Sequence, residues 1–128
     1  TPFPTATPRP TPTPRPTSTP APSAYEHFLQ GGFYYDSGQY YLALSEYNLA
    51  ITLSPVQYAA YFNNRGNVYY SLGLYSEAVD DYTQAVQISG GTKAMHYKNR
   101  SNAWYYLGMY AQRNADIATA CRLDPTYC

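Results

Sequence analysis

Ala43, Tyr47, Ala50 and Ile51 stand at i, i+4, i+7 and i+8, a spacing that gathers them on one face of a helix. Ala78, Tyr82, Ala85 and Val86 set the same stripe again. Upstream of each stripe a glycine, Gly38 or Gly73, marks where a preceding helix ends, because glycine accepts the left-handed cap conformation without strain. Pro55 follows the first stripe and stops its helix, since proline lacks an amide donor. Small alanines on one helix leave room for the aromatic side chains of its partner, so the pattern predicts closely packed helix pairs.

The pattern is a true repeat. Gly38, Gly73 and Gly108 fall 35 residues apart, and so do Tyr40, Tyr75 and Tyr110. Tyr34, Tyr69 and Trp104 match upstream, each followed by a tyrosine, Tyr35, Tyr70 and Tyr105. Downstream, Ala50, Ala85 and Ala120 match, then Leu53, Ile88 and Leu123. Pro55 and Pro125 close the first and third copies, and Gly90 stands in for proline in the second. The reading is an all-α domain over 24–128, with three helix–turn–helix repeats at about 24–58, 59–93 and 94–128.

The stretch NNRGNVYYSLGLYSEAVDDYTQAVQIS, Asn63 to Ser89, resembles a near-consensus tetratricopeptide repeat, and the flanking segments from Ala24 and Ala94 resemble it less closely. The third copy departs most. Ser101 replaces the glycine at Gly31 and Gly66, and Arg113 replaces the alanine at Ala43 and Ala78, so the third copy is expected either to pack more loosely or to face solvent there. The resemblance implies a right-handed α-solenoid whose concave face is lined by the first helix of each pair. On that face it places Tyr25, Phe28, Leu29, Gly32 and Tyr35, then Asn63, Asn64, Asn67, Tyr70 and Ser71, then Lys98, Asn99, Asn102, Tyr105 and Tyr106. Asn64 and Asn67 recur as Asn99 and Asn102, and asparagine amides both donate and accept, so this ladder suits a peptide backbone. The row Tyr35, Tyr70, Tyr105 suits a proline-rich extended peptide, which arrives already ordered. Grooves of this family that clamp a terminal carboxylate use several Lys and Arg. Here Arg65, Lys98 and Arg100 are the few candidates, and chaperone C-termini are not expected as ligands.

Residues 1–23 have a different character. They hold nine of the eleven prolines, interleaved with Thr and Ser. Such spacing excludes helix and favours an extended polyproline-II rod with a reach of about 70 Å. Thr/Ser among Pro is also the composition of O-glycosylated stalks, with Thr5, Thr7, Thr11, Thr13, Thr17 and Thr19 as acceptors; the alternative is a bare disordered spacer. The tripeptide Asn99-Arg100-Ser101 is an N-glycosylation sequon, whose occupancy would block the ladder. The chain begins at Thr1, which reads as a processed or partial product. A Thr/Pro stalk on such repeats resembles exported bacterial proteins and places this one outside the cell or at its surface. There Cys121 and Cys128, separated by the turn at Pro125, would pair in a disulfide; two free thiols are the alternative in a reducing compartment.

Net charge is zero and charged residues make up 12% of the chain, so no polyanion or membrane surface is implied as partner, and no stretch is apolar enough to span a bilayer. The 17 tyrosines make up for the scarce charge, as on surfaces that become buried in contacts. No phosphate loop, metal-spaced cluster or nucleophile motif is present, so neither catalysis, a cofactor nor a metal is expected. His27 and His96 read as helix-surface residues, and Glu77, Asp80 and Asp81 as a solvated acidic face. Two functions fit. One is a self-assembling structural protein, stacked head to tail into a filament, with each tail docked on a neighbour and no polar capping helix after the third repeat. The other is a monomeric peptide-binding scaffold on a glycosylated stalk.

Overall fold

Gly38, Gly73 and Gly108 have φ of 73°, 75° and 72°, and at each the chain turns from one helix into the next. The Gly38 amide donates to the Tyr35 carbonyl at 3.0 Å, and that of Gln39 to Tyr34 at 2.8 Å. Carbonyls orphaned at the helix end are thereby satisfied. Leu74 and Met109 make the same bonds to Tyr69 and Trp104.

The structure is a computed structural model and describes residues 1–16 and 18–128. Three helix pairs follow one another: α1 (Ala24–Asp36) with α2 (Tyr40–Leu53), α3 (Ala59–Ser71) with α4 (Tyr75–Ile88), and α5 (Ala94–Tyr106) with α6 (Tyr110–Leu123). A 3-10 turn, Pro125–Tyr127, comes last, and the described residues contain no strand. First helices thus start at 24, 59 and 94 and second helices at 40, 75 and 110, the interval of the sequence repeat. A capping box starts α1. Glu26 N donates to Ser23 Oγ at 3.2 Å and Ser23 N to Glu26 Oε2 at 2.6 Å, so two end donors are satisfied reciprocally. Ahead of it, residues 1–16 and 18–23 are exposed and carry no helix or strand. Thr5, Thr7, Thr11, Thr13 and Thr19 lie in this exposed segment; Thr17 lies outside the described residues.

The core forms where one pair meets the next. Ala43 and Tyr47 of the first pair pack with Val68 of α3, and Ala78, Val79 and Tyr82 of the second with Ala103 of α5. Tyr34 and Tyr40 pack against the first cluster, Tyr69 and Tyr75 against the second. Within a pair, the second-helix tyrosine lies on the first-helix glycine. A Cβ on Gly31 would stand 2.7 Å from the Tyr47 ring, and one on Gly66 would stand 2.8 Å from Tyr82. In the third pair the expected loosening does not occur at Ser101, which is 1% exposed and donates its hydroxyl to the Lys98 carbonyl at 2.6 Å. Ile117 holds the position of Tyr47 and Tyr82, so no ring claims the space that a glycine would have left. Arg113 lies at the partly exposed surface, its guanidinium 5.4 Å from the centre of the Tyr105 ring. Cys121 and Cys128 are joined, with Cα atoms 4.7 Å apart, and tie the final turn to α6.

Candidate functional site

The three first helices lie beside one another, and polar and aromatic side chains link them. Asn99 Nδ2 of α5 donates to Asn63 Oδ1 of α3 at 3.0 Å. The Tyr70 and Tyr106 rings meet at 5.8 Å, and those of Phe28 and Tyr61 stack at 4.7 Å. Ser71 Oγ and Tyr35 Oη are 3.5 Å apart, linking α3 to α1.

The four ladder asparagines are not equivalent. Asn67 Oδ1 accepts the Tyr82 hydroxyl at 2.7 Å. Burial pushes that hydroxyl well above the ordinary phenol range, so it stays protonated and donating. Asn64 Oδ1 lies 3.5 Å from Asn63 Nδ2, and Asn99 is engaged with Asn63. Asn67 thus spends part of its capacity on α4, Asn64 within α3, and Asn99 between α5 and α3. Asn102 makes no side-chain hydrogen bond among the described residues, and it lines a shallow cavity of about 340 Å³ with Tyr70, Tyr105, Tyr106 and Arg113. Four of the groove residues expected from sequence, Tyr70, Asn102, Tyr105 and Tyr106, thus meet in one cavity, and Arg113 completes it. Tyr35 lies away from it, against Tyr40 at 5.6 Å. Lys98 is half-buried and makes no ion pair among the described residues.

Sequence reasoning missed the charged framework around this face. Arg65 of α3 grips Asp81 of α4 with two bonds, 2.7 and 2.8 Å, and Arg100 of α5 grips Asp116 of α6 with two of 2.7 Å. Both pairs span 16 residues and lie one repeat apart. Planar guanidinium against carboxylate is the strong bidentate geometry. Asp81 is therefore not part of a solvated acidic face: it is 4% exposed, although Asp80 and Glu77 are exposed. Pairing with Asp81 holds the Arg65 guanidinium firmly in its charged form, and Asp116 does the same for Arg100. Both arginines are thus engaged, which removes them from the cation set a carboxylate clamp would need. In the first repeat Gln30 and Glu46 hold these positions, and Glu46 Oε2 instead meets His27 Nδ1 at 2.6 Å.

His96 is not a surface residue. It is 4% exposed, with Nδ1 3.2 Å from Ser89 Oγ, and burial, with Lys93 nearby, holds its pKa below the usual imidazole range. The Ser89 hydroxyl lies 2.8 Å from the Ala85 carbonyl and donates there, so Nδ1 is the donor in the His96 contact. No group of three or more metal-ligating side chains gathers among the described residues, and no described helix is long and apolar enough to cross a membrane.

The family model described as tetratricopeptide repeat matches residues 59–90, the second helix pair. No curated protein matches the chain. Among solved structures, the Arabidopsis OM64 TPR domain is 27% identical, with a TM-score of 0.77 over 81% of this chain and 84% of that one. The second TPR of Spaghetti (RPAP3), bound to the HSP90 peptide SRMEEVD, is 25% identical, with a TM-score of 0.75 over 80% of this chain and 93% of that one. PcrH, in complex with the chaperone-binding region of PopB, is 19% identical at a TM-score of 0.74, covers 80% of this chain and 82% of that one, and shares the fold.

Proposed function

We propose that this array of three tetratricopeptide repeats is a non-catalytic peptide-binding scaffold, held outside the cell or at its surface by a glycosylated Thr/Pro tail. The observation that carries the binding role is the cavity of Tyr70, Asn102, Tyr105, Tyr106 and Arg113 on the first-helix face. It offers aromatic faces beside an amide with unspent donors and acceptors, the chemistry an extended peptide backbone requires. A peptide bound in the TPR of Spaghetti supports the reading. The ligand class differs from that acidic peptide, because Arg65 and Arg100 are committed to Asp81 and Asp116. The expected ligand is extended, poor in charge and tolerant of proline. The joined Cys121 and Cys128 agree with an oxidising compartment. Calorimetry with a short end-blocked alternating Ala/Pro peptide tests it: Asn102→Ala and Tyr105→Ala each weaken binding about ten-fold, in line with interface anchors. Equal affinity in both variants rejects the site.

A second reading, head-to-tail self-assembly into a filament, is favoured by one observation. Phe33 is 62% exposed, yet its repeat counterparts Val68 and Ala103 are fully buried against the preceding pair. The first pair therefore presents an apolar position that stacking covers elsewhere in the array. At the other end Asn114 holds the place of Leu44 and Val79, so the contact is apolar on one side only, and the tail is needed to strengthen it. Sedimentation velocity across a concentration series tests this: Phe33→Ser lowers self-association, and a full chain that stays monomeric at high concentration rejects it.

A further inference from the structure

A second aromatic cavity lies at the opposite end of the first helices. Tyr25 and Phe28 of α1 meet Tyr58, Ala60 and Tyr61 at the start of α3 around about 430 Å³ of space. The rings form a chain: Tyr25 to Phe28 at 6.3 Å, Phe28 to Tyr61 at 4.7 Å, Tyr61 to Tyr58 at 5.2 Å. Tyr25 and Tyr58 are 59% and 50% exposed. The cavity of Tyr70, Asn102, Tyr105, Tyr106 and Arg113 uses none of these residues.

We propose that this pocket seats prolines from the Thr/Pro tail of a second copy of the chain; the proposal rests on the self-assembly reading and names the contact that makes it. Three observations select this occupant. First, the chemistry matches: flat aromatic faces take proline rings, and an extended Pro-rich segment loses little entropy on docking. The tail supplies such prolines at nearly every second position, all of them exposed in the structure. Second, the chain's own tail borders the pocket without lining it. Pro22 and Ser23 line an adjoining cavity that shares Tyr25, Tyr58 and Tyr61 with this one, but neither residue lines the pocket itself, so the tail leaves the domain at the pocket's edge. A rod this dense in proline is semi-rigid over several residues and does not fold back onto its own root. Third, the charges are complementary. Arg9 and Arg15 give the tail +2, whereas residues 24–128 hold six Lys/Arg against eight Asp/Glu, or −2. Each tail carries several proline steps, so one docked tail has neighbouring registers available.

The test is fluorescence anisotropy with a labelled synthetic peptide of residues 1–16 titrated into the full chain. Saturable binding is expected, weakened by added salt. The double variant Tyr25→Ala/Tyr58→Ala lowers affinity about ten-fold or more, Tyr25→Phe/Tyr58→Phe restores it, and Tyr41→Ala, at an exposed position of α2 outside both cavities, leaves it unchanged. Both pairs change exposed side chains, and circular dichroism checks that the helices remain. Binding that survives the alanine pair but falls in Tyr105→Ala overturns the pocket and gives the tail to the concave face. Absence of saturable binding also overturns it. Sedimentation of the same samples separates the two claims: a chain that self-associates without binding the peptide keeps the assembly reading and loses this one.

Discussion

The Tyr82 ring lies on Gly66 so closely that a Cβ there would come within 2.8 Å of its Cε1 atom, and Tyr47 treats Gly31 in the same way. The third repeat breaks both halves of the relationship together, with Ser101 and Ile117. Glycine and tyrosine are thus a coupled pair, and the substitutions in the third repeat compensate each other. Gly66→Ser alone should destabilise the fold by about 1–3 kcal/mol through overpacking. Tyr82→Ile alone should cost a similar amount by leaving a void. The double variant should recover a good part of the combined loss, measured by urea unfolding as a coupling energy. Strict additivity would show that the two positions do not share the space.

The Arg100–Asp116 pair predicts a second effect. Asp116 is 5% exposed and also accepts the Trp104 indole N–H at 3.1 Å. Asp116→Ala strands a guanidinium and an indole donor, and should cost about 2–3 kcal/mol, less than a fully buried pair because the Arg100 side chain keeps some exposure. Replacing Arg100 and Asp116 together by Leu should cost less than Asp116→Ala. A double variant as unstable as the single one would contradict this account of the pair.

His96 gives a pH prediction. Burial holds its folded pKa below the ordinary imidazole value of about 6.5, so the unfolded chain binds the proton more readily. Its contribution to stability is complete above about pH 6.5 and is lost as pH falls through the interval below it. Melting temperature should therefore fall between pH 7.5 and 5.5, and His96→Gln should reduce that fall. A variant with an undiminished pH dependence would assign the loss elsewhere.

The disulfide closes a short loop between Cys121 and Cys128. Reduction should cost about 2 kcal/mol on the chain-entropy account, confined to the end of α6. Hydrogen exchange with and without reductant locates it: faster exchange near Ala120 to Leu123 with α1 to α4 unchanged is the expected pattern. Two thiols titrating in the unreduced, unfolded protein would remove the premise.

The tail predicts a mass. O-glycosylation of the exposed threonines puts the intact mass above the 14.4 kDa of the bare polypeptide. Native material at the bare mass would leave the tail an unmodified spacer.

Much of the architecture could be read from the repeat, because helix ends depend on local residues. Gly38, Gly73 and Gly108 carry their own cap conformation, and the helix starts follow the same interval. The charged pairs were hidden because Arg65 and Asp81 are 16 residues apart on different helices, where no local periodicity links them. The recurrence of Arg and Asp at one repeat's distance was the available signal, and the acidic run around Asp81 masked it. His96 misled for a related reason: it sits near a helix start, and only the fold of the second pair against the third buries it. The groove was legible in its residue types but not in its bookkeeping, since Asn67 and Asn99 look like Asn102 in sequence yet already hold Tyr82 and Asn63.

The central claim is that an extended, charge-poor peptide binds on the first-helix face. The most direct measurement is nitrogen-15 chemical-shift mapping of the full chain as the end-blocked Ala/Pro peptide is added. The account predicts saturable shifts concentrated at Tyr70, Asn102, Tyr105, Tyr106 and Arg113, including the Asn102 side-chain amide. Shifts confined to the exposed sides of α2 and α4, or none at saturating peptide, would contradict it.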